Sequence, residues 1–259
     1  FIPNMREIRD NQPILWRHIQ TKKFEVVNRD FESHLTVSKN HILDNLYGQY
    51  DDLAKGLGIA ASKLPSQLFA EMLSGGFSTV LTFDDLPWFG THTIGLSSFT
   101  NTIEAELTEE SYKEAKRMMR SIKVRPDKDS KAIPLNDDLE LTLVVHPDNA
   151  DKAKQICMAK TVLTGGENIL ASDRTDVIVT AWIENPGDWF LFVKNAPLRP
   201  VYYQERQKPT MYNATPETSD VAYTRREYLY GVEARGAALP TLPWLAFGGR
   251  PGSSSSSGS

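Results

Sequence analysis

The sequence predicts an α+β fold, and three stretches predict it. A helical stripe runs from about residue 46 to 75, a strand-helix-strand succession occupies about 135 to 185, and strand-like runs at 6 to 38 and 189 to 249 flank them. Helices and strands are thus partly segregated along the chain, which is the α+β pattern.

Residues 1 to 22 hold Pro3, Pro13 and several charges without periodicity, so they read as an extended arm, with Ile14 and Trp16 as its apolar docking residues. From Phe24 the chain alternates. Phe24 and Val26 share one side while Phe31, Leu35 and Val37 take the other parity, which demands a turn or bulge near Asn28-Arg29-Asp30. Residues 6 to 38 therefore read as a long β-ribbon. Next comes the spine: Leu53, Leu57, Ala60, Ala61, Leu64, Leu68, Met72 and Leu73 recur three or four apart, opposite Asp52, Lys55, Lys63, Gln67 and Glu71. A helix of about 25 residues spans roughly 37 Å. Gly75-Gly76 is its stop signal, and Pro65, lacking an amide donor, predicts a kink or a restart.

Thr79 to Phe83 reads as a short strand, followed by a tight aromatic loop from Asp84 to His92. Thr108 caps a helix with Glu109 and Glu110 in its first turn and Tyr112, Ala115, Met119 and Ile122 as its inward stripe. Leu139 to Val145, Asn149 to Thr161 and Thr175 to Ile183 form the β-α-β lobe, with Ala150, Ala153, Ile156 and Cys157 inward. Asn185-Pro186-Gly187-Asp188 is a turn into a strand from Trp189 to Val193, and 200 to 206 and 226 to 234 supply further strands. The Gly-Ser run at the end predicts no order.

Composition narrows the function. A formal charge of −4 over 259 residues opposes a protein devoted to gripping nucleic acid. The single cysteine, Cys157, rules out an internal disulfide framework and a multi-cysteine zinc module, and fits cytosolic synthesis. No apolar run approaches the roughly 18 residues of a membrane span, and no signal-peptide pattern stands at the start. The chain begins with Phe1 and is expected to be processed, truncated or the observed part of a longer product.

Two clusters could carry chemistry. Asp84, Asp85 and His92 lie on one loop and could converge on a divalent cation, which leaves open a soluble metal-dependent enzyme built on residues 84 to 92. The bland reading is that the aspartates start turns and His92 bonds the loop to itself. Lys113, Lys116, Arg117, Arg120, Lys123 and Arg125 could meet phosphate, or simply form a solvated helix face favoured by the dipole. His18, His34, His41 and His146 lack ligand spacing, and no nucleophile elbow or phosphate-cradling glycine loop is present.

Several segments then resemble one family. Phe24 to Glu32, Val37-Ser38, Asp44-Asn45-Leu46-Tyr47-Gly48, the Pro65-containing helix to Gly76-Phe77, the Pro87-Trp88-Phe89-Gly90-Thr91-His92 loop, Tyr228 to Gly236 and Trp244 to Gly248 resemble, in order and spacing, the major head subunit of Mu-like tailed phages. The resemblance covers about residues 3 to 249. It implies the Hong Kong 97-type coat fold: arm and extended β-ribbon in 1–38, spine helix and first peripheral part in 39–107, axial domain in 108–188, returning peripheral strands in 189–249 and a disordered tail in 250–259. Asn45 stands where an acidic residue is common, so no ion is assigned there, and no lysine-asparagine crosslinking pair is identified.

The function implied is a major capsid protein, not an enzyme and without a cofactor, assembling as hexamers and pentamers into an icosahedral shell around double-stranded DNA. Implied partners are other copies, a portal, a scaffold or maturation protease, possible decoration proteins and non-specifically held DNA on the inner face, with no membrane. The implied location is the virion capsid, assembled in the host cytoplasm. Trp16, Phe24, Phe31, Trp88 and Phe89 are the expected assembly contacts.

Overall fold

Among the described residues, a three-stranded sheet, a five-stranded sheet, two short strand pairs and a long helix make up the subunit. The computed structural model describes residues 26–38, 40, 47–125, 131–136, 139–158, 175–214, 224 and 226–252. Strand β1 is Arg29–Ser38 and helix α1 is Tyr47–Gly75. The hairpin strands β2 (Thr91–Ile94) and β3 (Ser97–Thr100) lead to β4 (Thr102–Ile103) and helix α2 (Glu109–Ser121). A short pair follows, β5 (Lys123–Val124) with β6 (Ile133–Pro134). Then come β7 (Leu141–Val145), helix α3 (Ala150–Met158), β8 (Thr175–Val179) and β9 (Trp189–Val193). Two long strands, β10 (Val201–Ala214) and β11 (Glu227–Pro240), and the short β12 (Ala246–Gly249) close the chain.

The three-stranded sheet has the order β1-β11-β10, and the five-stranded sheet β4-β12-β9-β7-β8. β7 and β8 run parallel, joined through α3, which is the β-α-β unit the apolar periodicity predicts. β9 lies antiparallel beside β7, and every one of its residues is buried. One core, on the α2 and α3 side of this sheet, contains Tyr112, Met119, Leu143, Ile156, Trp189 and Phe247. On the other side, Met72 and Leu73 from the end of α1 pack with Trp88, Phe89, Phe190 and Phe192. Burying a large side chain of this kind is worth about 1.5–3 kcal/mol, so this lobe carries most of the fold's apolar stabilisation.

Helix α1 buries Leu57, Leu64, Leu68, Met72 and Leu73 of the expected stripe, while Ala60 is exposed and the side chain of Leu53 lies outside the described residues. The helix runs through Pro65 as one element, so the restart expected there does not occur. Pro65 forfeits one backbone bond, but Leu64 and Leu68 on either side of it are clamped against Ala234, Phe31, Tyr203 and Ala238. Tertiary packing thus overrides the local break.

Three boundaries read from the sequence shift. β1 pairs with β11 along its whole length, from Arg29 opposite Gly236 to Ser38 opposite Glu227, so the last ten residues assigned to a projecting ribbon belong to the subunit's own sheet. The parity switch near residue 28 needs no bulge, because the strand begins after it, at Arg29. A division at 188/189 would cut the five-stranded sheet between its neighbouring strands β7 and β9. At the end of the chain, Arg250 belongs to the folded body, not to a tail: its backbone N–H donates to the Ile103 carbonyl and its guanidinium grips Asp188. The arm at 1–22 and the tail from 253 lie outside the described residues.

Candidate functional site

The Asp84 to His92 loop is closed on itself. Thr82 Oγ1 donates to Asp84 Oδ1 at 2.5 Å, and His92 Nδ1 lies 2.8 Å from Asp84 Oδ2. His92 Nε2 donates to the Trp88 carbonyl at 3.1 Å, its ring stacks on Phe99, and the residue is completely buried. Asp85 does not join this pair. It is exposed and adopts φ 61°, a left-handed turn conformation that aspartate tolerates better than most residues. Burial is the strongest single influence on the Asp84 carboxyl and pushes it up, but hydrogen bonds from Thr82 and His92, with the attraction of His92, together hold it below the ordinary carboxylate range. Among the described residues no group of three or more His, Cys, Asp or Glu side chains is placed to hold a metal ion.

Asn101, which sequence reasoning passed over, organises the same region. Its Nδ2 donates to the carbonyls of Trp88 and Pro243, each at 2.8 Å, and of Ala246 at 3.2 Å, while its Oδ1 accepts from Gly90 N at 2.8 Å. One buried amide thus ties the aromatic loop to the segment before β12. A lone asparagine between two strand-like runs offers no signal of this in the sequence. Gly248 shows how tight the junction is: a Cβ there would stand 2.7 Å from the Phe89 ring and 2.9 Å from Phe77.

A second clamp lies at the far end of the same strand. Asp188 is fully buried, accepts from Arg250 Nη2 at 2.6 Å and from Arg250 Nε at 3.0 and 3.1 Å, and also accepts from Asn185 Nδ2 at 2.7 Å. The Arg250 guanidinium sits 3.9 Å from the Phe77 ring centroid. Planar, bidentate and stacked, this arginine compensates the buried carboxylate.

The expected assembly contacts separate. Trp88 and Phe89 are buried in the subunit's own core, stacked on each other with centroids 4.6 Å apart, so neither offers surface to a neighbour. A loop of turn formers reads as surface, and only the tertiary packing of α1 and β9 onto it reverses that. Phe31 is half-buried and packs against Leu64, Leu68 and Ala234 of its own chain. Trp16 and Phe24 lie outside the described residues.

The basic helix is partly neutralised. Lys113 pairs with Glu109 and Arg117 with Glu114, each at 2.5 Å, and Lys116 is buried. Arg120 and Lys123 remain exposed at the helix's end. No described helix is long and apolar enough to cross a membrane.

Nothing in these arrangements is a catalytic constellation; what they do is lock chain segments together around two sheets and a spine. Comparison with known proteins says which fold that is. The family described as Mu-like prophage major head subunit gpT matches residues 1–94, 93–183 and 184–253. The chain belongs to that family. Major head subunits are structural proteins of the capsid, and the virion capsid is where a member of the family resides. The solved capsid of bacteriophage JBD30 matches with a TM-score of 0.56 at 13% identity, over 96% of this chain and 56% of that chain. The JBD30 procapsid gives 0.51 at 20% identity, over 98% and 61%. The capsid of cyanophage P-SCSP1u gives 0.55 at 13% identity, over 98% and 81%. The head subunit chain therefore spans 56% and 61% of the JBD30 chains it matches. At such identities the likeness shows the fold alone, which is the Hong Kong 97-type coat fold. No functionally curated protein matches the sequence.

Proposed function

We propose that this head subunit is the repeating unit of an icosahedral shell, assembling as hexamers and pentamers around double-stranded DNA and acting without catalysis. The observation that carries this reading is the family match, which runs through residues 1–253. The internal geometry is in keeping with it, since the loop that could have served an enzyme is closed on itself and part of the basic helix face is paired within the subunit. Asp84 and His92 satisfy each other and the backbone around them. On α2, Lys113 and Arg117 pair with glutamates one turn away and Lys116 is buried, while Arg120 stays exposed. Packaged DNA then needs only to be tolerated by the inner wall, in keeping with a net charge of −4. Other copies are the principal partners; a portal, a scaffold or maturation protease, and decoration proteins are the further ones a phage head of this kind would use.

Purified protein examined by sedimentation velocity and negative-stain microscopy tests the proposal. Rings of five and six subunits, or closed shells, are expected. A monodisperse 29.1 kDa species at every concentration and ionic strength, or metal-dependent turnover, would overturn it.

A further inference from the structure

Two of the edge strands in the subunit's larger sheets are finished differently. β10, at the edge of the three-stranded sheet, carries Lys208 and Pro209 and two register shifts, between Glu205 and Gln207 and between Gln207 and Thr210. Charges, proline and bulges are the devices by which an edge is kept from unintended pairing. β8, at the edge of the five-stranded sheet, pairs with β7 without a shift and lacks proline and lysine. Ile178 and Val179 are 51% and 40% exposed there, and Trp182, just beyond the strand, is 43% exposed. Large apolar side chains concentrated on five consecutive residues mark an interaction surface more strongly than the same residues scattered singly.

The opposite end of the same lobe carries a hollow. Between β3 and the end of α2 lies a groove of about 470 Å³ lined by Ser97, Phe99, Thr100, Met118, Ser121 and Lys123. β3 leads directly into β4, the other edge strand of the five-stranded sheet, so knob and groove lie at opposite edges. Their charges are complementary. Glu184 stands exposed beside Trp182, Lys123 stands exposed at the groove, and Arg120 is exposed on the last turn of α2; none of the three has an ion-pair partner among the described residues.

We propose that the 178–184 edge of one copy docks on the β3–α2 groove of the next copy, with Trp182 entering the groove and Glu184 facing Lys123. The occupant is a second copy of this chain because one molecule carries both halves of the contact, apolar knob with acidic flank and groove with basic rim. Unlike surfaces on opposite edges make a head-to-tail contact, which closes into a ring when the rotation between copies allows. This inference rests on the coat reading and names the surface through which neighbours in one ring meet.

Charge reversal tests it with wild-type assembly as the reference. Glu184→Lys and Lys123→Glu should each lower the yield of assembled rings or shells at fixed protein concentration by threefold or more. The double variant should recover at least half of the wild-type yield, and Trp182→Ala should assemble as poorly as the single reversals. Since all these positions are exposed, circular dichroism and melting temperature of the dissociated subunits should match wild type. If wild type assembles and the variants do too, or if the double variant shows no recovery, the contact proposed here is wrong while the coat reading stands. Failure of the wild type itself to assemble would overturn the coat reading, and this inference with it.

Discussion

Trp189–Val193 of the five-stranded sheet is buried at every residue, whereas Arg29–Ser38 of the three-stranded sheet alternates between exposed and half-buried positions until Val37. The first strand has packed side chains above and below it. The second is covered on one face by α1, and its other face bears Asp30 paired with Arg235, and His34 Nε2 2.6 Å from the Tyr212 hydroxyl. That last contact crosses Gly231, which lies opposite both His34 and Tyr212 in the register; a Cβ there would stand 2.7 Å from the Tyr212 ring. A sheet covered on both faces holds its fold by itself, and a sheet with one polar face is solvated as it stands. The lobe is therefore the subunit's stability centre, while the three-stranded sheet depends on the spine helix.

Substitutions should separate the two regions, and the largest effect belongs to the lobe. Trp88→Ala removes a fully buried indole from the junction of α1 and β9 and should cost about 3–5 kcal/mol, read by thermal or urea unfolding of the subunit. Trp88→Phe should cost clearly less, because the Trp88 Nε1 has no hydrogen-bond partner among the described residues and its loss forfeits no bond. A Phe variant as damaged as the Ala variant would point to a partner for that nitrogen.

Arg250→Ala comes next. It strands the buried Asp188 carboxylate, and breaking such a pair is expected to cost about 3 kcal/mol; Asp188→Asn in the same background should recover part of the loss. An Arg250→Ala subunit that melts with wild type would return this residue to the tail. Phe31→Ala should cost about 1–2 kcal/mol, since the ring is only half-buried, and the loss should appear in the protection of β1 and the middle of α1, not in the lobe.

The smallest effect is a pH dependence. Asp84 is held below the ordinary carboxylate range, so its contribution is present above the unfolded value of about 3.9 and is lost as pH falls through the lower folded value. Wild type should therefore lose stability between pH 5 and the acid limit more steeply than Asp84→Asn, by about 1 kcal/mol. Glu71 has the same sign through its two 2.7 Å bonds to Arg29, but both side chains are about half exposed and solvent screening leaves that pair under about 1 kcal/mol. Parallel acid melts of the two proteins would show Asp84 to be energetically silent.

How much of this was legible in the sequence follows from the range of the forces involved. The spine stripe, the Thr108 cap with its bond from Ser111 N, and the β-α-β lobe rest on local periodicity and capping, and the structure has all three. The pairing of β1 with β11 links residues some two hundred positions apart, so alternation alone could not say whether the strand served its own sheet or a neighbour. The burial of Trp88 and Phe89, the Asn101 hub and the Arg250–Asp188 clamp are likewise tertiary: a turn-rich loop, one asparagine and one arginine next to a Gly-Ser run carry no local mark of what folds onto them. Of the loop's candidate metal ligands, the bland reading holds for the Asp84 and His92 pair, which bonds the loop to itself.

Hydrogen exchange on assembled particles and on subunits dissociated from them addresses the whole account most directly. Strands β7, β9 and β12 should be strongly protected in both states, the solvated face around His34 and Tyr212 should change little, and new protection on assembly should concentrate at residues 175–184 and at the groove between β3 and α2. Subunits whose β7, β9 and β12 exchange freely until they assemble would contradict the central claim that this coat subunit carries its own folded core and meets its neighbours through surfaces left exposed on it.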